Sequence, residues 1–171
     1  HNSLAGAPAF FEYAIRQGIK PIIGLEANLT ADLKSRNQPV YHILLLARDQ
    51  KGFSNLMKLS TLSYTKGFSD RPRIDFELLE RFSEGLIALS GCLAGEVPRL
   101  LLNGQELAAE AAVKKYQKIF GRENFFIELQ NHGLADQKRI LLDLDKVART
   151  CNCPIVASND VHYIKPEECE V

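Results

Sequence analysis

The sequence lacks an excess of charge of either sign. Lys and Arg together number 21, Asp and Glu together also number 21, and the formal net charge is zero. A domain that coats nucleic acid normally carries a basic patch and a high isoelectric point. The balance therefore argues against a dedicated nucleic-acid-coating domain, although contact with one end of a nucleic acid is compatible with it.

The sequence also lacks long apolar runs and has few cysteines. No stretch approaches the roughly 18 apolar residues that a membrane-spanning helix needs, and no secretory signal is recognisable. The four cysteines, Cys92, Cys151, Cys153 and Cys169, do not resemble a disulfide framework in a chain of 171 residues. We therefore expect a cytoplasmic protein with reduced thiols and no membrane partner.

Two further absences concern recognised site motifs. The C-x-C pair of Cys151 and Cys153 has no second cysteine pair with which to complete a zinc site, so packing at a helix end is its plainer interpretation. No P-loop, G-x-G-x-x-G or G-x-S-x-G sequence is present. The sequence thus gives no sign of a P-loop nucleotide site, a dinucleotide site or a serine nucleophile.

Short β-rich runs alternate with longer helical stretches along the chain. The predicted strands are residues 20–26, 41–47, 85–90, 125–130 and 154–158, and the predicted helices are 9–17, 49–60, 75–82, 96–102, 105–120 and 135–150. This alternation is typical of βα units and a mainly parallel sheet, open or closed. No internal repeat or linker interrupts it, so we expect one α/β domain.

Side chains that can bind a metal ion lie at the end of, or a few residues past, four of the five predicted strands. They are Glu26, Cys92, His132 and the pair Asp160 and His162. In βα architectures the residues just past the carboxyl ends of the strands build the active site. The pattern therefore predicts that these side chains meet at one edge of the sheet.

A cluster of His, Asp, Glu and Cys side chains with open coordination suits zinc, manganese or iron. The number of candidate ligands allows two or three ions. Such ions lower the pKa of bound water and neutralise phosphate oxygens, which is the chemistry of metal-assisted phosphoester hydrolysis.

Each candidate ligand also has a plainer interpretation. Glu26 can be an ordinary surface acid, and Cys92 can be a small buried side chain. His132 can cap the following helix, and Asp160 and His162 can be turn and packing residues. Sequence alone leaves these alternatives open.

His42 differs from the other candidates because it stands at the start of its predicted strand. If that strand runs parallel to its neighbours, His42 lies at the opposite edge of the sheet. It joins the cluster only if the strand runs antiparallel or its boundary is misplaced.

These motifs resemble the PHP (polymerase and histidinol phosphatase) domain at the N-terminus of the alpha subunit of bacterial DNA polymerase III. The matching segments are residues 18–26, 41–42, 55–59, 71–75, 85–96, 128–134 and 158–163. They extend over essentially the whole chain. Segment 71–75, with the sequence RPRID, is one of several that are specific to the replicative polymerase rather than to PHP domains at large.

The resemblance implies an α/β fold, a distorted seven-stranded TIM-like barrel with metal ions at its mouth. The chain opens on His1 without an initiator Met, and the family's opening His-x-His motif is absent. We therefore expect residues 1–171 to be an incomplete PHP domain, a fragment of a much larger polymerase chain that lacks the first strand and motif. The implied ligands of divalent transition metals are His1, Glu26, His42, Cys92, Asp160 and His162, while His132 lines the site.

The resemblance also implies a function. The domain would be a metal-dependent phosphodiesterase of the 3′–5′ exonuclease type, proofreading a DNA 3′ end within a DNA-directed DNA polymerase. One alternative is a structural remnant that stabilises the other domains of the polymerase chain and binds the proofreading exonuclease subunit. Another is a stand-alone phosphatase that acts on a small phosphate monoester such as histidinol phosphate.

Overall fold

The computed structural model describes residues 1–35, 37–165 and 167–168, so Cys169 lies outside the described residues. The helices within them are α1 Ala7–Arg16, α2 Gln50–Thr65, α3 Phe76–Arg81, α4 Glu96–Leu102, α5 Glu106–Phe120 and α6 Ala135–Thr150. The strands are β1 Gly24–Thr30, β2 Tyr41–Ala47, β3 Ile74–Asp75, β4 Leu86–Leu89, β5 Phe125–Leu129 and β6 Ile155–Ala157. All six predicted helices are confirmed.

Two aspartates cap the N-termini of helices. The Asp49 carboxylate accepts a hydrogen bond from the backbone N–H of Gly52 (2.9 Å) and so caps α2. The Asp75 carboxylate accepts from the N–H of Leu78 (3.0 Å) and caps α3. Each carboxylate satisfies an N–H that has no partner within its own helix.

The strands form one mixed sheet in the order β3-β1-β2-β4-β5-β6. β2 runs antiparallel to both of its neighbours, and the pairs β1–β3, β4–β5 and β5–β6 are parallel. The prediction of a mainly parallel sheet therefore holds only outside β2. Within the described residues the sheet has six strands with short strands at its two edges, β3 and β6, and a closed barrel is not confirmed.

The direction of β2 places His42 at the same edge of the sheet as the other candidates. In the β1–β2 register His42 faces Asn28 and Tyr41 faces Leu29, so the start of β2 lies beside the end of β1. The backbone N–H of His42 also donates to the carbonyl of Ala94 (3.0 Å). The antiparallel alternative for this strand is thus confirmed.

One strand boundary predicted from sequence is wrong. The first strand does not end at Glu26 but runs over Gly24–Thr30, so Glu26 is its third residue. The polar residue Asn28 does not break the strand, because its side-chain amide donates to the carbonyl of Pro72 (3.0 Å). The two-residue strand β3 was not predicted either, since so short a segment carries no alternation.

The two faces of the sheet differ in character because side chains alternate along each strand. On one face Leu29, Leu45 and Phe125 are fully buried in the hydrophobic core. The opposite face of β1 and β2 carries Glu26 and His42, which are partly exposed. The core therefore fixes which face of the sheet presents the candidate ligands.

Helix α1 contributes little to this core. Only Ala14 among its residues is buried, whereas Phe10, Phe11, Tyr13 and Ile15 are 48–67% exposed. Across the described part of the chain, no helix combines the length and the apolar character that crossing a membrane requires.

Candidate metal centre

Glu26 lies between two histidines and contacts both. Its Oε2 is 3.0 Å from His1 Nε2, and its Oε1 is 2.8 Å from His42 Nδ1. The ligand atoms of these three residues all lie within 4.8 Å of one another. Two imidazoles and a carboxylate at this spacing form a group that could hold a metal ion.

Asn2 positions His1 beside the edge of β1. Its backbone N–H donates to the carbonyl of Glu26 (2.8 Å), and its Oδ1 accepts from the N–H of Asn28 (2.9 Å). Asn2 is buried and has a φ of 60°, in the left-handed region that asparagine enters more readily than most residues. This backbone geometry turns the His1 ring towards Glu26.

Cys92 reaches the cluster from the loop that follows β4. Its Sγ is 3.7 Å from His42 Nδ1. The preceding residue, Gly91, has a φ of 81°, and a Cβ there would lie 2.8 Å from the carbonyl oxygen of His42. A glycine is therefore required for the loop to pass this close to β2.

Asp160 and His162 approach from the segment after β6. The ring centroids of His162 and His1 are 5.4 Å apart. His162 Nδ1 lies 3.7 Å from Asp160 Oδ1 and 2.9 Å from the Asp160 carbonyl oxygen. The structure thus brings all six predicted ligands to one edge of the sheet, with the three residues around Glu26 closest together.

His132 lies next to this cluster and outside its centre. Its Nε2 is 3.4 Å from the backbone nitrogen of Asp160. Its Nδ1 is 3.0 Å from Gln137 Nε2, and its backbone N–H donates to Gln137 Oε1 (2.8 Å). His132, which the resemblance implies lines the site, thus lies beside the six candidate ligands.

Sequence reasoning missed a buried polar group beneath the cluster. The carboxylate of Glu128, which is 4% exposed, accepts hydrogen bonds from Ser158 Oγ and from Gln130 Nε2 (3.2 Å). The backbone N–H of Glu128 donates to Ser90 Oγ (2.9 Å). Polar residues at 128, 130 and 132 share one side of an extended chain, and this spacing is the signal that could have identified them.

The surroundings of His42 favour its protonated form. Hydrogen bonds to Cys92 and to Glu26 raise the pKa of His42 from 6.5 to about 9, against the opposing effect of burial. Without a metal ion, His42 is therefore a cation at neutral pH and pairs with the Glu26 carboxylate. A metal ion must displace this proton, because imidazole binds metals only when it is neutral.

The donor set fits a transition-metal ion. Zinc bonds to nitrogen and oxygen of about 2.0–2.2 Å place neighbouring ligand atoms about 3–3.5 Å apart, close to the contacts of Glu26 with the two imidazoles. Cys92 adds a sulfur ligand and Asp160 a hard oxygen. A plainer alternative is a hydrogen-bonded His–Glu–His group that needs no ion, since both Glu26 oxygens already have partners.

Comparison with known proteins identifies a family match. The PHP domain family matches residues 1–132. Over 98% of its length the chain is similar to DNA polymerase III subunit alpha from several bacteria. Identity is 42% to the protein of Thermus aquaticus, 41% to that of Borreliella burgdorferi and 41% to that of Deinococcus radiodurans. The chain spans only 14%, 15% and 13% of the length of these three curated relatives.

Proposed function

The chain belongs to the PHP domain family, and from this premise we propose that it is the metal-dependent phosphoesterase domain of a replicative DNA polymerase alpha chain. The observation that supports this most directly is the meeting of six side chains of ligand type at one sheet edge, with His1, Glu26 and His42 at their centre. Its similarity to polymerase III alpha subunits over nearly its whole length supports the polymerase context.

Six residues would hold divalent transition metals such as zinc, manganese or iron. They are His1, Glu26, His42, Cys92, Asp160 and His162. Bound there, two or three such ions would activate water and neutralise the charge of a phosphodiester. Glu26 contacts the rings of His1 and His42, one with each carboxylate oxygen. Asn2 in turn holds His1 against β1.

The proposed substrate is the 3′ end of a DNA strand, and the proposed reaction is 3′–5′ exonucleolytic proofreading. The site lies at an open edge of the sheet, where about half of the His1 and His162 side chains remains exposed (46% and 52%). Such an edge leaves room for the end of a polymer. The zero net charge of the chain is compatible with contact at one end only.

Other parts of the polymerase chain would complete the fold. The sheet ends at β3 and β6, which contain two and three residues. We propose that further strands of the full-length protein close it into the seven-stranded TIM-like barrel that the resemblance implies. The remaining polymerase domains and the proofreading exonuclease subunit are the proposed protein partners.

The test is a nuclease assay on the full-length polymerase chain with a 5′-labelled single-stranded oligonucleotide and Mn²⁺ or Zn²⁺. We expect shortening from the 3′ end that chelator abolishes. Asp160→Asn should reduce the rate by roughly 100-fold or more, because it removes a charged metal ligand. Asp70→Asn, an exposed aspartate away from the site, is the matched control. Equal rates for wild type and Asp160→Asn would overturn the proposal.

A second candidate function is structural. Both oxygens of Glu26 already contact imidazoles, and the charged His42–Glu26 pair needs no ion to satisfy it. Such a group would stabilise the fold and offer a surface to other polymerase domains without hydrolysing DNA. In that case the oligonucleotide stays intact with every metal, while Glu26→Gln still lowers the stability of the domain.

A further inference from the structure

The segment that carries Asp160 and His162 lies outside the regular secondary structure. The strand β6 ends at Ala157, and residues 158–163 belong to no helix or strand. The backbone N–H of Ser158 donates to the carbonyl of Leu129 (3.1 Å), which continues the pairing with β5 by one residue. Beyond Ser158 the segment leaves the sheet, so contacts with side chains hold Asp160 and His162 near the cluster.

Glu128 holds this segment at its first residue. The hydroxyl of Ser158 donates to Glu128 Oε1, and the same oxygen accepts from Gln130 Nε2 (3.2 Å). Glu128 is 4% exposed and Gln130 is 8% exposed, so neither side chain has much freedom to turn. The Ser158 hydroxyl is therefore bound to an oxygen whose position is fixed.

Glu128 also contacts the segment that carries Cys92. Its backbone N–H donates to Ser90 Oγ (2.9 Å), and Ser90 directly follows β4, two residues before Cys92. Ser158 likewise stands two residues before Asp160. One buried residue thus binds two serines that each lie just ahead of a candidate ligand.

Packing alone does not account for a carboxylate at position 128. Burying a charged side chain costs free energy that a hydrophobic side chain would not. The groups that donate to Glu128 Oε1 are a hydroxyl and an amide, which are both neutral. A carboxylate oxygen can accept from these two donors at once, and this property is what the position uses.

We propose that Glu128 is a positioning residue, which holds Asp160 and His162 at the metal centre through the hydroxyl of Ser158. This inference rests on the proposed function and names a residue that supports the same site without binding the metal. Loss of a contact that orients metal ligands typically lowers metal affinity by roughly 10- to 100-fold. Because Ser158 is two residues from Asp160, we expect an effect at the lower end of that range.

The test compares three substitutions in the full-length polymerase chain. Ser158→Ala removes the hydroxyl, Ser158→Thr keeps it, and Glu128→Gln keeps an oxygen that can accept from it. Ser83→Ala, which removes a hydroxyl bonded to the carbonyl of Glu80 (3.2 Å), is the matched control.

The first measurement is hydrogen exchange of the metal-free proteins, followed by mass spectrometry. We expect exchange across residues 158–162 to be roughly tenfold faster in Ser158→Ala than in wild type. The second measurement is Zn²⁺ affinity by competition with a chelator, and we expect a roughly tenfold loss in Ser158→Ala. Ser158→Thr, Glu128→Gln and the control should stay within about threefold of wild type in both measurements.

Wild-type exchange or wild-type Zn²⁺ affinity in Ser158→Ala would overturn the positioning role. A loss in Ser158→Thr or Glu128→Gln as large as that in Ser158→Ala would overturn it as well. Faster exchange throughout the chain in Ser158→Ala would have the same consequence, because that result shows a purely structural role. If no protein binds Zn²⁺ or shortens DNA but exchange changes as expected, the proposed function fails and the positioning of the segment by Glu128 stands.

Discussion

At the scale of single residues, Glu26 is the side chain on which the cluster depends. Its two oxygens hold His1 and His42 in place, at 3.0 Å and 2.8 Å. A carboxylate can accept from two donors at once and can also bind a metal ion, whereas an amide offers one oxygen and no charge. Removing the negative charge of Glu26 therefore tests whether this side chain binds a metal ion.

Glu26→Gln should weaken metal binding by roughly 100-fold or more, because it removes the only carboxylate of the central group while leaving its volume unchanged. The measurement is competition for Zn²⁺ with a chelator of known affinity. Glu84→Gln, an exposed glutamate paired with Lys51, is the control and should match wild type. Equal Zn²⁺ affinity in Glu26→Gln and wild type would exclude Glu26 as a ligand.

Metal affinity should rise with pH up to about 9. Hydrogen bonds to Cys92, which has the larger effect, and to Glu26 raise the pKa of His42 to about 9. Below that pH a metal ion must therefore displace a proton from His42. This proton alone lowers the apparent affinity about tenfold for each pH unit below 9. Titrations with Zn²⁺ at pH 7, 8 and 9 measure the slope, and a flat profile would contradict this account of His42.

The same raised pKa has an opposite effect on the metal-free protein. The protonated His42 is favoured in the folded state, so its contribution to stability is complete below the unfolded pKa of 6.5. It is lost as the pH rises from 6.5 through about 9. Unfolding with urea should therefore show a midpoint that falls over this range. In His42→Gln this particular decline should be absent.

At the scale of elements, the strand β2 decides whether the site exists. Its residues Tyr41–Ala47 were predicted from sequence with the correct bounds, because a continuous apolar run with β-branched and leucine side chains is a strong signal. Its direction was left open, and the apolar run is a misleading guide here, because such runs are typical of buried parallel strands whereas β2 is antiparallel to both neighbours. The pairing of His42 with Asn28 supplies that information.

For Glu26 the sequence predicted the wrong position within its strand, although Glu26 still lies at the candidate site. It was selected as the last residue of a predicted strand, but it lies within β1 and faces the site by alternation along the strand. Asn2, Glu128 and Gln137 were missed because their roles depend on contacts between distant parts of the chain. Sequence spacing identifies the candidate ligands, and only the fold shows what supports them.

The register of β2 can be tested by comparing two neighbouring leucines. Leu45 is fully buried in the core, whereas Leu46 lies on the opposite, partly exposed face. Leu45→Ala should cost about 2–5 kcal/mol of unfolding free energy because it leaves a cavity, and Leu46→Ala should cost clearly less. Denaturant unfolding of the two variants of this chain measures the difference. A larger cost at Leu46 would mean that the two faces have been assigned the wrong way round.

At the scale of the whole molecule, the resemblance to PHP domains predicted the family correctly, but a closed barrel is not confirmed in the described residues. The reason is physical: closing a sheet requires pairing along both edges. Here the edges are β3 and β6, with two and three residues. Local sequence pattern does not reveal which strands would pair with the edge strands β3 and β6.

A bound metal ion should stabilise the whole molecule, because it joins β1, β2 and the segments that carry Cys92 and Asp160. Zn²⁺ at 100 times its dissociation constant adds about 2.7 kcal/mol to the free energy of unfolding, which raises the melting temperature by several degrees. Differential scanning calorimetry with and without Zn²⁺ measures this shift. The Glu26→Gln variant should show much less of it, and an equal shift in both proteins would point to binding elsewhere.

The central claim is that the cluster around Glu26 is a metal centre. Elemental analysis of the full-length polymerase chain, purified without chelator, tests it most directly. The account predicts at least one bound zinc, manganese or iron ion for each chain, and a clear reduction in Glu26→Gln. Fewer than one transition-metal ion for each chain, or the same content in wild type and Glu26→Gln, would contradict it.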